Sequence, residues 1–209
     1  MLRFSLANAA RLPQPWPPEH EMQIETDLTG KLLIAMPGIG DPRFERSVIL
    51  VCAHTPDFAM GIILNKPMDG IDLQEIIDQM DIPQDVDLEG VAILEGGPVA
   101  TERGFVLHTD DVICDGATME VEDELCMTAT REILASIASA APPRKFVMAL
   151  GYAGWGAGQL EQELAQNAWL IGAPDSDLVF GDAYEHKWRH AMTRMGVDLS
   201  RLQSNAGNA

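Results

Sequence analysis

Three short, uninterrupted apolar runs near the start of the chain constrain its fold most. Lys31 to Met36 (KLLIAM) runs into Pro37, Gly38 and Gly40, Ser47 to Ala53 (SVILVCA) follows, and Met60 to Leu64 (MGIIL) comes after a break at Thr55, Pro56 and Asp57. Each run is too short for a buried helix and is bounded by turn residues, so each reads as a strand. Continuous rather than alternating apolar character belongs to strands covered on both faces. The chain must therefore supply material for both sides of a sheet.

Helical periodicity supplies candidates for that cover. Leu73, Ile76, Ile77 and Met80 fall at i, i+3, i+4 and i+7, one face of an amphipathic helix stopped by Pro83. Further strands are expected at Val91 to Leu94, Phe105 to His108, Met119 to Val121 and Phe146 to Leu150, with a helix over Thr128 to Ala138 before Pro142 and Pro143. A helix carrying Leu160, Leu164 and Ala168 on one stripe follows, and a last helix over Asp182 to Met195 is closed by Gly196. Strands early and helices late predict an α/β, mixed α+β fold: one compact domain whose parallel and antiparallel sheet is covered by helices. The domain is expected over residues 24–202. Pro13, Pro15, Pro17 and Pro18 around Trp16 favour extended polyproline conformation, so residues 1–23 are expected to form a flexible leader, and 203–209 a frayed tail.

Charge narrows the function. With 32 Asp plus Glu against 14 Lys plus Arg, the net charge is −18 at pH 7. Such a surface repels polyanions, which speaks against direct nucleic-acid binding and against docking on an anionic membrane. The acid is concentrated: residues 67–130 hold 17 Asp or Glu, and Arg103 is their one Lys or Arg. That stretch reads as a solvated acidic face or as a surface for a basic partner. Cys52, Cys114 and Cys126 are odd in number and widely spaced, as in reduced cytoplasmic thiols. No apolar run approaches the roughly 20 residues of a membrane-spanning helix.

The segment Leu150 to Glu163 (LGYAGWGAGQLEQE) is the main candidate for chemistry. Glycines at 151, 154, 156 and 158 lead from an expected strand into an expected helix, a place where free N–H groups and the helix dipole favour an anion or a polarised carbonyl. It matches neither a dinucleotide fingerprint, since Gln159 stands where the third glycine belongs, nor a phosphate loop ending in Gly-Lys-Ser or Gly-Lys-Thr. Glu161 and Glu163 also place carboxylates in the first turn. The alternative is a tight left-handed turn that packs Trp155. Other groups carry less. Cys52 and His54 alternate onto one strand face, and His186 and His190 are spaced four apart, but Lys187 stands where a metalloprotease helix has Glu; no metal or cofactor is expected. Asn65, Lys66 and Pro67 read as turn chemistry with a lone cation, and Gly96, Gly97 and Pro98 as a hinge allowing close backbone approach.

Four ordered blocks, Leu28 to His54, Ala59 to Pro67, Glu95 to His108 and Gly151 to Leu170, together closely resemble the YqgE/AlgH family of bacterial proteins, over roughly residues 28–200. The resemblance implies a small cytosolic α/β domain without a recognised cofactor, in a largely uncharacterised family that carries a transcriptional-regulator label. Matching positions are Pro37, Asp41, Phe44, Ser47, Asn65, Gly96, Gly97, Pro98, Gly154, Trp155, Gly156, Gln159 and Glu161. The turn Thr55 to Phe58 departs from the family's shorter polar, glycine-containing one.

The expectation is a cytoplasmic regulator acting through a small ligand or protein partner, with Asn65, Gly96, Gly97, Pro98, Gly154, Trp155, Gly156, Gln159 and Glu161 as candidate ligand-binding residues. The alternative is a hydrolase or transferase using the segment 154–161 as an anion or oxyanion site. Catalytic residues, the partner and the oligomeric state are not given by the sequence.

Overall fold

The computed structural model of the protein describes residues 27–197. The leader expected over 1–23 and the tail over 203–209 lie outside these residues. Among these residues are ten strands: β1 (Leu32–Ala35), β2 (Val48–His54), β3 (Phe58–Ile63), β4 (Pro67–Asp72), β5 (Ala92–Glu95), β6 (Val99–Thr109), β7 (Thr118–Glu122), β8 (Leu125–Thr128), β9 (Phe146–Gly156) and β10 (Trp169–Gly172). Their main path runs β10-β1-β2-β3-β9-β6-β8-β7, with β5 added to β9 and β4 to β5. The helices are α1 (Leu73–Gln79), α2 (Arg131–Ala138), α3 (Gln159–Ala165), α4 (Ser176–Phe180) and α5 (Tyr184–Arg194).

This corrects the expected α/β class. Eight of the nine strand pairings are antiparallel and only β5 with β9 is parallel, so the molecule is an antiparallel half-barrel with short helices, not a mixed sheet under helical layers. The connections explain why. A parallel crossover takes about a dozen or more residues, whereas β2 and β3 are joined by the three residues between His54 and Phe58. The continuous apolar runs are buried on both faces as expected, but by small helices and loops. Thr128, expected to begin a helix, instead ends β8. At the start of α1, Asp72 accepts from the Glu75 N–H while the Glu75 side chain accepts from Asp72 N–H, a capping box.

Alternation sorts the side chains. Leu32, Ile34, Leu50, Ile62, Phe105, Leu107 and Met127 share the concave face with Leu178 and Val179 of α4 and Ala191 and Met192 of α5. Leu33, Ile49, Ile63, Trp155, Leu160 and Trp169 pack behind the sheet at one end. At the other end α1 and α2 cover Ile93, Val106, Met148 and Leu150.

Strand β9 is the hub. One of its edges pairs with β5 through Met148, Ala149 and Leu150 and with β3 through Ala153 to Gly156. At the junction Gly96 N–H donates to Leu150 O (2.8 Å) and Ile63 N–H to Gly96 O (2.9 Å). A Cβ on Gly97 would overlap the Tyr152 backbone, and one on Gly151 would overlap Gly97 O. Gly151, at φ +73, also inserts one extra residue, so that Ala149, Tyr152 and Gly154 share the concave face while Trp155 points behind the sheet.

Candidate functional site

The glycine-rich segment turns out to be two places. Behind the sheet, Trp155 and Trp169 lie edge to face with centroids 6.1 Å apart, and both indole N–H groups donate to Glu163 Oε2, at 2.9 and 2.7 Å. Glu163 Oε1 accepts from Gln159 Nε2 (3.0 Å), and Gln159 Oε1 accepts from Gly156 N–H (3.1 Å). Glu161 Oε1 lies 2.7 Å from His54 Nε2, while His54 Nδ1 accepts from Leu28 N–H (3.2 Å). With Nδ1 as acceptor, Nε2 is the ring nitrogen that donates to Glu161. These groups satisfy one another and tie the segment before β1 to α3. The left-handed residue here is Gly158 (φ +68), whereas Gly156 lies outside that region and a Cβ on it would meet nothing.

The concave face carries an open groove of about 650 Å³ beside the part roofed by α4 and α5. Met60, Phe105, Met127 and Tyr152 line it, with Gly154 between them. Phe58, Val99 and Met119 stand on its margins at 48%, 37% and 36% exposure, which makes a contiguous apolar patch. Tyr152 packs edge to face on Phe105 (5.8 Å), and the Arg103 guanidinium lies 5.1 Å over the Phe105 ring. Arg103 is the single Lys or Arg among the lining residues.

Of the candidate ligand-binding residues, Gly154 lines the groove; Trp155 borders it, but its indole, with Gly156, Gln159 and Glu161, belongs to the hydrogen-bonded side. Gly96 and Gly97 form the strand junction, followed by Pro98 just before β6. Asn65 fixes a turn: its Oδ1 accepts from Val48 N–H and its Nδ2 donates to Arg46 O, both at 2.8 Å. Lys66 donates to Arg43 O. Among the other positions matched to the family, Asp41 caps a 3-10 turn over Pro42–Phe44, and Phe44 packs on Trp169 (5.7 Å).

Cys52 and His54 do not meet. A register shift between Val51 and Ala53 breaks the expected alternation: Cys52 packs on the concave face, and the partners of His54 lie behind the sheet. Burial pushes the Cys52 thiol up to about 12, which keeps it protonated and unreactive. His186 and His190 are both exposed on α5. No group of three or more His, Cys, Asp or Glu residues gathers as a metal site among the described residues, and none of their helices is long and apolar enough to cross a membrane.

Sequence reasoning missed Phe58, Met119, Tyr152 and the role of Arg103. Phe58 and Met119 lie in short strands whose exposed and buried faces only the register defines. Arg103 did carry a signal, as the one cation in a long acidic stretch.

The fold recurs in known proteins. The AlgH-like family profile matches residues 32–200, and the chain belongs to that family. The UPF0301 protein of Caulobacter vibrioides is 48% identical over 183 residues, 87% of this chain and 94% of the relative. The UPF0301 protein of Rhodospirillum rubrum is 49% identical over 182 residues, 87% of this chain and 94% of its own. Among solved structures, the solution structure of the AlgH protein from Pseudomonas aeruginosa has a TM-score of 0.71 at 38% identity, covering 91% of this chain and 100% of that one. A crystal structure of a Corynebacterium diphtheriae protein has a TM-score of 0.63 at 20% identity, covering 80% of this chain and 86% of that one, a likeness of fold.

Proposed function

We propose that this protein is a cytoplasmic binding protein that acts in regulation through a ligand held in the concave groove, and not by contact with DNA. The observation that carries this reading is the groove itself: an apolar stretch of a closely covered sheet that α4 and α5 leave open, with Phe58, Val99 and Met119 at its edge. Its volume of about 650 Å³ lies within the about 300–1,000 Å³ typical of small-molecule sites. A net charge of −18 supports a role away from the polyanion itself. The hydrolase or transferase alternative has less support, because Gln159, Glu161 and Glu163 are held by hydrogen bonds to neighbouring side chains and backbone.

Native mass spectrometry of the full chain, purified gently from its own host, tests the reading. A co-purifying small mass that is absent from Met119→Glu, with folding confirmed by circular dichroism, is the expected result. A bare wild-type chain that also fails to bind an apolar fluorescent dye such as 1,8-anilinonaphthalene sulfonate would remove the groove as the site.

A further inference from the structure

Three observations on the groove converge on one class of ligand. The first is Arg103, the one Lys or Arg among residues 67–130, which hold 17 carboxylates. Elsewhere Lys31 pairs with Glu122, Arg43 with Asp41, Arg144 with Asp110 and Arg194 with Asp175, while Arg46 lies over the Trp188 ring outside the groove. Arg103 has no hydrogen-bond or ion-pair partner among the described residues and lies instead against the Phe105 ring inside the groove lining. A guanidinium whose donors are not spent on protein acceptors can take a carboxylate with two parallel hydrogen bonds.

The second observation is the rest of the lining. Met60, Met119 and Met127 contribute three flexible thioether side chains, which repack around alkyl chains of differing length more readily than branched residues do. The third is the floor. A Cβ on Gly154 would stand 3.1 Å from Tyr152 Cε2 and 3.8 Å from Val99 Cγ2, so the glycine holds open the space between those two side chains.

Resting on the reading of the groove as a binding site, we infer that its ligand is an amphipathic carboxylate, an alkyl chain seated over Gly154 among the methionines with its anionic head on Arg103. The protein's overall negative charge opposes an anion at long range, but that repulsion is screened over about 8 Å at physiological ionic strength, leaving the local contact to decide.

The test compares head groups on one chain. Decanoate, decanol and decyltrimethylammonium are titrated separately into the full-length protein and followed by calorimetry. Decanoate is expected to bind at least about tenfold more tightly than decanol, in line with a hydrogen-bonded charged group, and the ammonium more weakly than either. Arg103→Gln should bring decanoate down to the level of decanol and leave decanol unchanged, with folding checked by circular dichroism. Lengthening decanoate to dodecanoate should tighten binding about fifteenfold in both proteins, at about fourfold per methylene. Gly154→Leu should abolish all three. Decanol binding as tightly as decanoate, the ammonium binding best, or Arg103→Gln leaving decanoate unaffected would each overturn the head-group assignment while keeping the groove as a site. Failure of all three probes to bind would overturn the assignment and the groove reading together.

Discussion

Strand β9 serves two regions that share its residues and differ in chemistry. Behind the sheet, Trp155 sends its indole into a set of partners in which Glu163 accepts from Trp155, Trp169 and Gln159. On the concave side, one residue away, Tyr152 and Gly154 face an apolar groove whose single cation, Arg103, has no acceptor among the described residues. The first region has its polar groups matched and its large side chains buried. The second exposes Phe58, Val99 and Met119. A dense run of glycines thus marks where backbones approach and side chains close up, whereas an unmatched charge beside uncovered apolar surface marks where something else is to bind.

That contrast breaks first at the junction feeding both regions. Gly97 has φ +150, and any Cβ there would overlap the Tyr152 backbone. Gly97→Ala is therefore expected to cost more than about 4 kcal/mol, among the largest single-residue effects, or to prevent folding. Gly156→Ala, at an open position outside the left-handed region, should stay within about 1 kcal/mol of wild type. Urea unfolding followed by circular dichroism measures both. Equal losses would mean that the glycines act as generic flexibility and not through close approach.

The next largest effect separates the two regions directly. Glu163→Ala removes the acceptor of two indole N–H groups on tryptophans that are 4% and 3% exposed. At about 1–3 kcal/mol for each donor left unmatched, the loss should be on the order of 3 kcal/mol, with decanoate affinity in the groove unchanged. A drop in affinity equal to that of Arg103→Gln would show that the regions are coupled through β9.

The sequence made the strands legible where apolar runs met Pro, Gly or Asp, as at Ser47 to Ala53, and the helices legible where a stripe ended in a cap, as at Gly196, whose φ is +72. It hid the sheet's direction, because burial on both faces looks alike in parallel and antiparallel strands. The three-residue link between β2 and β3 held that information. It also hid the faces: the register shift near Cys52 breaks the alternation that put His54 on the face of Cys52, and the extra residue at Gly151 decides which side Trp155 takes. Gly154 and Trp155 were found by their surroundings in the chain. Arg103, Phe105 and Tyr152 come together only through the pairing of β6 with β9.

The covered and open parts of the concave face differ in how they treat a cation, and pH sharpens the point. Under α4 the Lys187 amine, 3% exposed, donates to Val179 O (3.3 Å), and burial lowers its pKa to about 8 from an ordinary 10.5. The folded state therefore holds this proton less tightly than the unfolded chain does. Its cost to stability is fully present below pH 8 and is relieved as pH rises from about 8 towards 10.5, so this group makes the fold more stable with rising pH. Lys187→Met should stabilise the protein at pH 7 by no more than about 3 kcal/mol, the ceiling set by about 1.36 kcal/mol per unit of pKa before the lost bond to Val179 is subtracted, and flatten the rise above pH 8. Unfolding at pH 7 and pH 9.5 decides it. A variant less stable than wild type at pH 7 would mean that the bond to Val179 outweighs the burial of the charge.

The smallest expected effect is the most telling about the groove. Phe58 is 48% exposed where β3 begins, after the short turn from β2, and contributes little to the core. Phe58→Ser should change stability by no more than about 0.5 kcal/mol, as surface positions do. A residue kept for folding would show its whole effect in that number. One kept for binding shows it elsewhere, so the same variant should weaken decanol and decanoate equally, by about four- to fifteenfold, if the ring covers one or two methylenes at about 0.8 kcal/mol each. Equal loss with both head groups is what distinguishes Phe58 from Arg103, whose replacement should act on decanoate alone. A stability loss of several kcal/mol with unchanged affinity would instead assign the exposed ring to the fold and shrink the binding surface to the floor around Gly154.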